Sequence, residues 1–191
     1  MNEHLNLIIL GPQGSGKGTQ AALLQKKIGA ALFGAGDVLR EIAKTDTALG
    51  KKVHETINVQ GRLVEPELIS EVIKNKIATV PKSQNLILDS YPRSLEQYEL
   101  FKKFWPAIGR GDYRVLFIEL TEDQALKRLL LRKRLDDSEE TIRKRLELFN
   151  SLTMPMIKDM EQQNAQVIHI NGNQTIEEVH AEILNKLGLS S

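Results

Sequence analysis

Short apolar runs alternate with longer stretches of helical spacing along the whole chain. Leu7-Ile8-Ile9-Leu10, Leu86-Ile87-Leu88, Val115-Leu116-Phe117-Ile118 and Val167-Ile168-His169-Ile170 are mainly branched and apolar, as strands buried on both faces are. Ala31-Leu32-Phe33 is a weaker fifth run. Between them, apolar residues recur with helical period over residues 17–28, 37–44, 49–59, 67–80, 95–104, 122–133, 139–163 and 176–187. The alternation predicts an α/β fold: a five-stranded parallel sheet flanked by helices and joined by right-handed crossovers. In such sheets, ligands sit beyond the carboxyl ends of the strands.

The chain has 191 residues, enough for a single domain, with no internal repeat and no Pro- or Ser-rich linker to mark a boundary. Lys and Arg number 26 against 25 Asp and Glu, a formal charge of +1. That balance argues against a general binder of nucleic acid or membrane surfaces, so any anion site must be local. With no cysteine there is no disulfide, thiolate nucleophile or Cys-ligated zinc. The first apolar stretch, Leu5 to Leu10, is broken by Asn6 and is too short for a signal core or a membrane span. The expectation is a cytoplasmic enzyme or binding module.

The first run leads into Gly11-Pro12-Gln13-Gly14-Ser15-Gly16-Lys17-Gly18-Thr19-Gln20. Glycines there let successive backbone N–H groups curl inward at a helix start, and a lysine adds a mobile charge for β- and γ-phosphates. A plain strand-to-helix turn needs only one or two glycines. Gly14, Ser15, Gly16, Lys17, Gly18 and Thr19 are therefore the expected triphosphate cradle of a three-layer P-loop NTPase fold. Gly18 stands where a hydroxyl usually meets magnesium, so the metal needs other ligands.

The G-x-x-G-x-G-K-G-T form resembles the nucleoside monophosphate kinases, adenylate kinase above all, and the likeness extends over nearly the whole chain. Gly36-Asp37-Val38-Leu39-Arg40 resembles the family's G-D-x-L-R, and Gly61-Arg62-Leu63-Val64 its G-x-L-V. Asp89-Ser90-Tyr91-Pro92-Arg93 resembles D-G-[FY]-P-R, and the segment from Asp136 to Arg145 resembles D-D-x-E-[ET]-x-x-x-R. The resemblance implies a single domain with a helical monophosphate-binding flap over residues 34–63 and a very short lid over 129–136.

It further implies in-line phosphoryl transfer from Mg·ATP to AMP, giving two ADP, without a covalent intermediate. Such a site needs two polyanions aligned, positive charge spread over the transferring group, and water excluded. Lys17, Arg93, Arg132, Arg134 and Arg145 are the catalytic group so implied. Arg128 and Gln174 join the loop on the ATP side; Ala35, Arg40, Arg62, Val64, Ser90, Arg93, Gln97, Arg134 and Arg145 form the AMP side. Asp89, with Asp37, would hold Mg²⁺ through water. Each assignment has a plainer rival: Asp37 could cap the helix that follows, Gly172 to Ile176 could be an ordinary turn, and Arg143 could be a solvated surface charge.

The acceptor base is argued both ways. Gln97, four residues past Arg93, stands where adenylate kinases carry the glutamine that reads adenine, and a carboxamide offers adenine one donor and one acceptor. Ala35 stands where those enzymes carry Thr or Ser, which is more like the UMP/CMP kinases, and Ser90 replaces a glycine. AMP is favoured; a UMP/CMP kinase, or a nucleotide-binding module with little turnover, is the alternative. Only seven residues separate Arg128 from Asp136, so the short lid predicts measurable ATP hydrolysis without acceptor. The expected partners are ATP, AMP and ADP, with no nucleic acid and no membrane, and the expected state is a monomer. Trp105, the four histidines, Met154 and Met156 are expected to pack rather than to bind.

Overall fold

The computed structural model of the chain describes residues 4–59, 63–132 and 139–189, without the side chains of residues 58, 59 and 132. Five strands, β1 (Asn6–Leu10), β2 (Ala31–Gly34), β3 (Leu86–Asp89), β4 (Arg114–Glu119) and β5 (Val167–Asn171), form one parallel sheet in the order β2-β3-β1-β4-β5. All five expected runs are strands. Every residue of β1 is buried, because it lies at the centre under helices on both faces. The edge strands β2 and β5 are only partly covered, so burial on both faces holds for the inner strands alone.

The helices are α1 (Lys17–Ile28), α2 (Ala35–Ala43), α3 (Ala48–His54), α4 (Pro66–Ala78), α5 (Leu95–Ile108), α6 (Glu122–Arg132), α7 (Glu139–Leu148), α8 (Met154–Gln162) and α9 (Ile176–Leu187). The period-two alternation of β1 sends Ile8 and Leu10 into a core shared with α4, α5 and α8, and Leu7 and Ile9 into a second core against α1 and α9. A third, smaller core, made of Ala125, Leu129, Ile142 and Leu146, joins α6 to α7 apart from the sheet.

Several elements differ from the sequence reading. Residues 49–59 and 139–163 are not uniform α-helix: Glu55–Val59 and Phe149–Thr153 are π-helical turns. Helix α2 begins at Ala35, capped by the Gly34 backbone, so Asp37 does not cap it and instead adds acidic charge to the first turn. Helix α5 runs past Pro106 to Ile108 because Trp105 is anchored: it stacks on Phe101 (5.0 Å) and its Nε1 donates to Gly111 O (2.8 Å).

Asn6, which breaks the first apolar run, is a buried tie. Its Nδ2 donates to the Arg110 and Asp112 carbonyls, and its Oδ1 accepts from Arg110 Nε. The Arg110 guanidinium also donates to the carbonyls of Val80, Pro81 and Gln84. The loops at the amino ends of the strands are thereby locked together, away from the end where ligands sit.

His169 lies on β5 between two carboxylates, with Nδ1 3.1 Å from Glu119 and Nε2 2.6 Å from Glu161, while Lys186 Nζ donates to its backbone carbonyl. Burial lowers its pKa, but the hydrogen bonds and charges of Glu119 and Glu161 outweigh that effect and hold it above the usual histidine value. A group raised in the folded state stabilises fully below its unfolded pKa of about 6.5, and the gain is lost as pH rises through the folded value. His169→Gln is therefore expected to lower the melting temperature more at pH 6 than at pH 8.5. The difference should be small because the side chain is nearly half exposed. Equal losses at the two pH values would contradict it.

Candidate active site

The parallel register sets Ile9 and Gly34 on either side of Asp89, so the segments after β1, β2 and β3 leave the sheet at one edge. After β1, the chain must pass so close to β4 that a Cβ on Gly11 (φ +150°) would lie 2.4 Å from Ile118 O; only glycine fits. Gly16 caps α1 at φ 89° with no side-chain hydrogen bond, and the first turn of that helix carries no acidic residue. The leading N–H groups of α1 are thus left for an anion. Ser15 Oγ is buried with no partner among the described residues, a further polar group for a ligand to satisfy. Lys17 Nζ donates to Pro12 O (2.8 Å), which folds the ammonium back over the loop.

After β3, Asp89 carries its carboxylate to the same loop: Oδ2 lies 3.7 Å from where a Cβ on Gly18 would sit. Ser90 then adopts left-handed backbone (φ 63°), which costs a residue with a Cβ roughly 1 kcal/mol or more. Its hydroxyl donates to Asp89 Oδ1 (2.8 Å), and its carbonyl accepts from Arg93 Nε (2.7 Å). Arg93 N–H donates to Gln97 Oε1 (2.8 Å), and Thr153 Oγ1 donates to Arg93 O (2.8 Å). The Arg93 contact fixes the orientation of the Gln97 amide.

A cavity of about 240 Å³ opens beside the loop, many times the roughly 15 Å³ that one water needs. Lys17, Ala35, Arg40, Val64, Ser90, Arg93, Gln97 and Arg145 line it, eight of the residues expected from sequence. Burial pushes the Arg93 guanidinium pKa down; Asp89 opposes that shift, and the nearby charges of Arg40 and Arg145 add to it. Three arginines from α2, the turn after β3, and α7 therefore face one space and repel each other, an arrangement an anion would relieve.

Other expected residues lie elsewhere. Arg128 is on α6 and Gln174 donates to Glu182 on α9 (2.8 Å), both off the cavity lining. Asp37 is paired with Arg40, so the expected metal carboxylate and the expected phosphate arginine hold each other. Arg143 is tied to Glu139 on the surface of α7. Arg62 and Arg134 lie outside the described residues, as do parts of the expected flap and lid (60–62 and 133–138), and the side chain of Arg132 is not described.

Sequence reasoning gave no site role to Gln13, Leu39, Ile57, Ile69, Leu148, Phe149 or Thr153, which also line the cavity. Ile57 and the pair Phe149 and Thr153 come from the two π-helical turns, and such turns gather at functional sites. Among the described residues, no group of three His, Asp or Glu is arranged to ligate a metal directly. A donor set of one or two carboxylates beside a phosphate loop suits Mg²⁺, which keeps several of its own waters.

A glycine loop between β1 and α1, at the carboxyl edge of a parallel sheet and beside an arginine-lined cavity, defines a P-loop phosphate-binding α/β protein. The adenylate kinase family model matches residues 9–165. The chain is 36% identical over 182 residues to adenylate kinase 1 of a Nostoc species, covering 95% of this chain and 98% of that protein. It is 37% identical over 183 residues to the adenylate kinase of Bacteroides thetaiotaomicron, covering 94% and 96%. With the adenylate kinase of Corynebacterium diphtheriae it shares 34% over 184 residues, covering 96% and 99%. The chain belongs to the adenylate kinase family. No helix among the described residues is long and apolar enough to cross a membrane.

Proposed function

We propose that the chain catalyses Mg·ATP + AMP ⇌ 2 ADP. The observation that carries this reading is the convergence of Arg40, Arg93 and Arg145 with Lys17 on one cavity whose lining also includes Gln97. Planar guanidinium forks grip phosphate oxygens in pairs and fix their direction, which suits an enzyme whose work is alignment and charge stabilisation. In this reading Arg40 and Arg93 hold the acceptor phosphate, with Arg62 also on the AMP side and Ala35, Val64, Ser90 and Gln97 around the base. Gln97 Nε2 donates to a ring nitrogen of adenine, and the second lone pair of Oε1 remains for its amino group.

The loop from Gly14 to Thr19, with Arg128 and Gln174, holds ATP. Lys17, Arg132, Arg134 and Arg145 spread charge over the transferring group. The flap over 34–63 and the short lid over 129–136 close on the pair and limit the access of water, incompletely on the lid side. Asp89, with Asp37 once it is released from Arg40, would hold Mg²⁺ through water; when bound, that ion neutralises charge between the β- and γ-phosphates. A carboxylate ties Arg40 until ligand arrives, so acceptor binding exchanges one ion pair for another.

A coupled assay with AMP, CMP, UMP and GMP as acceptors tests the assignment. AMP is expected to exceed each of the others in kcat/KM by at least about tenfold, the cost of leaving one buried polar group unpaired. Equal or better turnover with CMP would make the acceptor a pyrimidine. Binding of ADP with no transfer to any acceptor would reduce the protein to a nucleotide-binding module.

A further inference from the structure

Ser90 and Asn164 are the two described residues other than glycine with left-handed backbone, and asparagine tolerates that region far better than serine. Ser90 is held there by three hydrogen bonds. Its N–H donates to Ile9 O (2.9 Å), its carbonyl accepts from Arg93 Nε (2.7 Å), and its hydroxyl donates to Asp89 Oδ1 (2.8 Å). Glycine would take the same backbone without strain and keep the first two bonds. The hydroxyl bond is thus what the side chain adds in return for the strain. It occupies one oxygen of Asp89, while Oδ2 faces the start of α1 near Gly18.

We propose that Ser90 is a positioning residue whose hydroxyl locks the Asp89 carboxylate with Oδ2 toward the phosphate loop, setting how strongly Mg²⁺ supports nucleotide binding. The carbonyl of the same residue fixes Arg93, so one turn holds a group on the donor side and a group on the acceptor side. Without the hydroxyl, Asp89 is free to rotate about its side-chain bonds, and part of the Mg²⁺-bound affinity is spent on restoring its orientation. The inference rests on the proposed role of Asp89 toward Mg²⁺.

The test is calorimetric binding of the β,γ-imido analogue of ATP, with excess Mg²⁺ and with chelator, to the wild-type protein and to Ser90→Ala, Ser90→Gly and Asp89→Asn. Ser90→Ala keeps the strain and removes the hydroxyl; Ser90→Gly removes both. Both variants are expected to shrink the Mg²⁺-dependent gain in affinity, the ratio of affinities with and without the ion in the same variant, about fivefold, the scale of a partly exposed hydrogen bond to a charged group. Ser90→Gly is expected to melt above wild type, which separates orientation from folding. Asp89→Asn is expected to abolish the gain. If both Ser90 variants keep the full gain while Asp89→Asn loses it, the positioning role is overturned and the metal reading stands. If Asp89→Asn also keeps the full gain, the metal reading falls and this inference falls with it.

Discussion

Replacing Arg93 with methionine is expected to lower kcat by roughly 10³-fold, about 4 kcal/mol of transition-state stabilisation, while changing the melting temperature by only a few degrees. Methionine keeps much of the volume and removes only the charge and the donors. Arg93 lines the cavity with Arg40 and Arg145, and its pKa is lowered by burial and by those two charges, with Asp89 opposing. Relief of the repulsion among the three guanidiniums and loss of the Arg93 Nε–Ser90 O hydrogen bond act on stability in opposite directions, so the fold changes little. The same charge is what a transferring phosphoryl group needs. A residue with a purely structural role gives the opposite pattern: lower melting temperature, modest change in kcat. Thermal melts and steady-state kinetics on the one variant distinguish the two.

Lys17→Met is expected to lower kcat/KM for ATP by roughly 10²- to 10³-fold and to leave AMP affinity within about threefold. The Lys17 ammonium leans back on Pro12 O over the phosphate loop, and it is a single mobile charge without the fork geometry of an arginine. The proposed acceptor end, with Arg40, Arg93 and Gln97 in the cavity lining, keeps its own charges and donors in this variant. Arg93→Met should instead weaken AMP binding by at least about tenfold, the cost of losing a charged pair of hydrogen bonds. Isothermal titration of each nucleotide against each variant checks this division. Equal loss of ATP affinity in both would place the two residues on the same ligand and contradict the separate halves of the site.

Local chemistry was legible in the sequence, and remote contact was not. The phosphate loop could be read because its glycines, its lysine and the strand before it are contiguous, and Gly11 is required by a clash with β4 that any other residue would make. The three inner strands could be read because burial on both faces leaves them almost wholly apolar. Ile57, Phe149 and Thr153 were missed because a π-helical turn inserts a residue and shifts the side-chain phase, which a 3.6-residue period cannot follow. Asn6 reads as a flaw in an apolar run; its partners Arg110 and Asp112 lie more than a hundred residues away. The start of α2 at Ala35 was missed because Gly34 caps it with backbone alone, which leaves no side-chain signal. The pairing of Asp37 with Arg40 follows from their separation of three residues on that helix, and each had been assigned to a different ligand.

In the proposed reaction the arginine-lined cavity receives AMP, and a phosphoryl group passes to it directly from ATP. Incubating the protein with Mg²⁺, γ-labelled ATP and AMP, and separating the products within one turnover, tests it most directly. Label is expected in the β-phosphate of ADP formed from AMP, at a rate well above release of labelled inorganic phosphate. Label appearing only as inorganic phosphate, or in a pyrimidine diphosphate in preference to ADP when CMP and UMP are offered together with AMP, would contradict it.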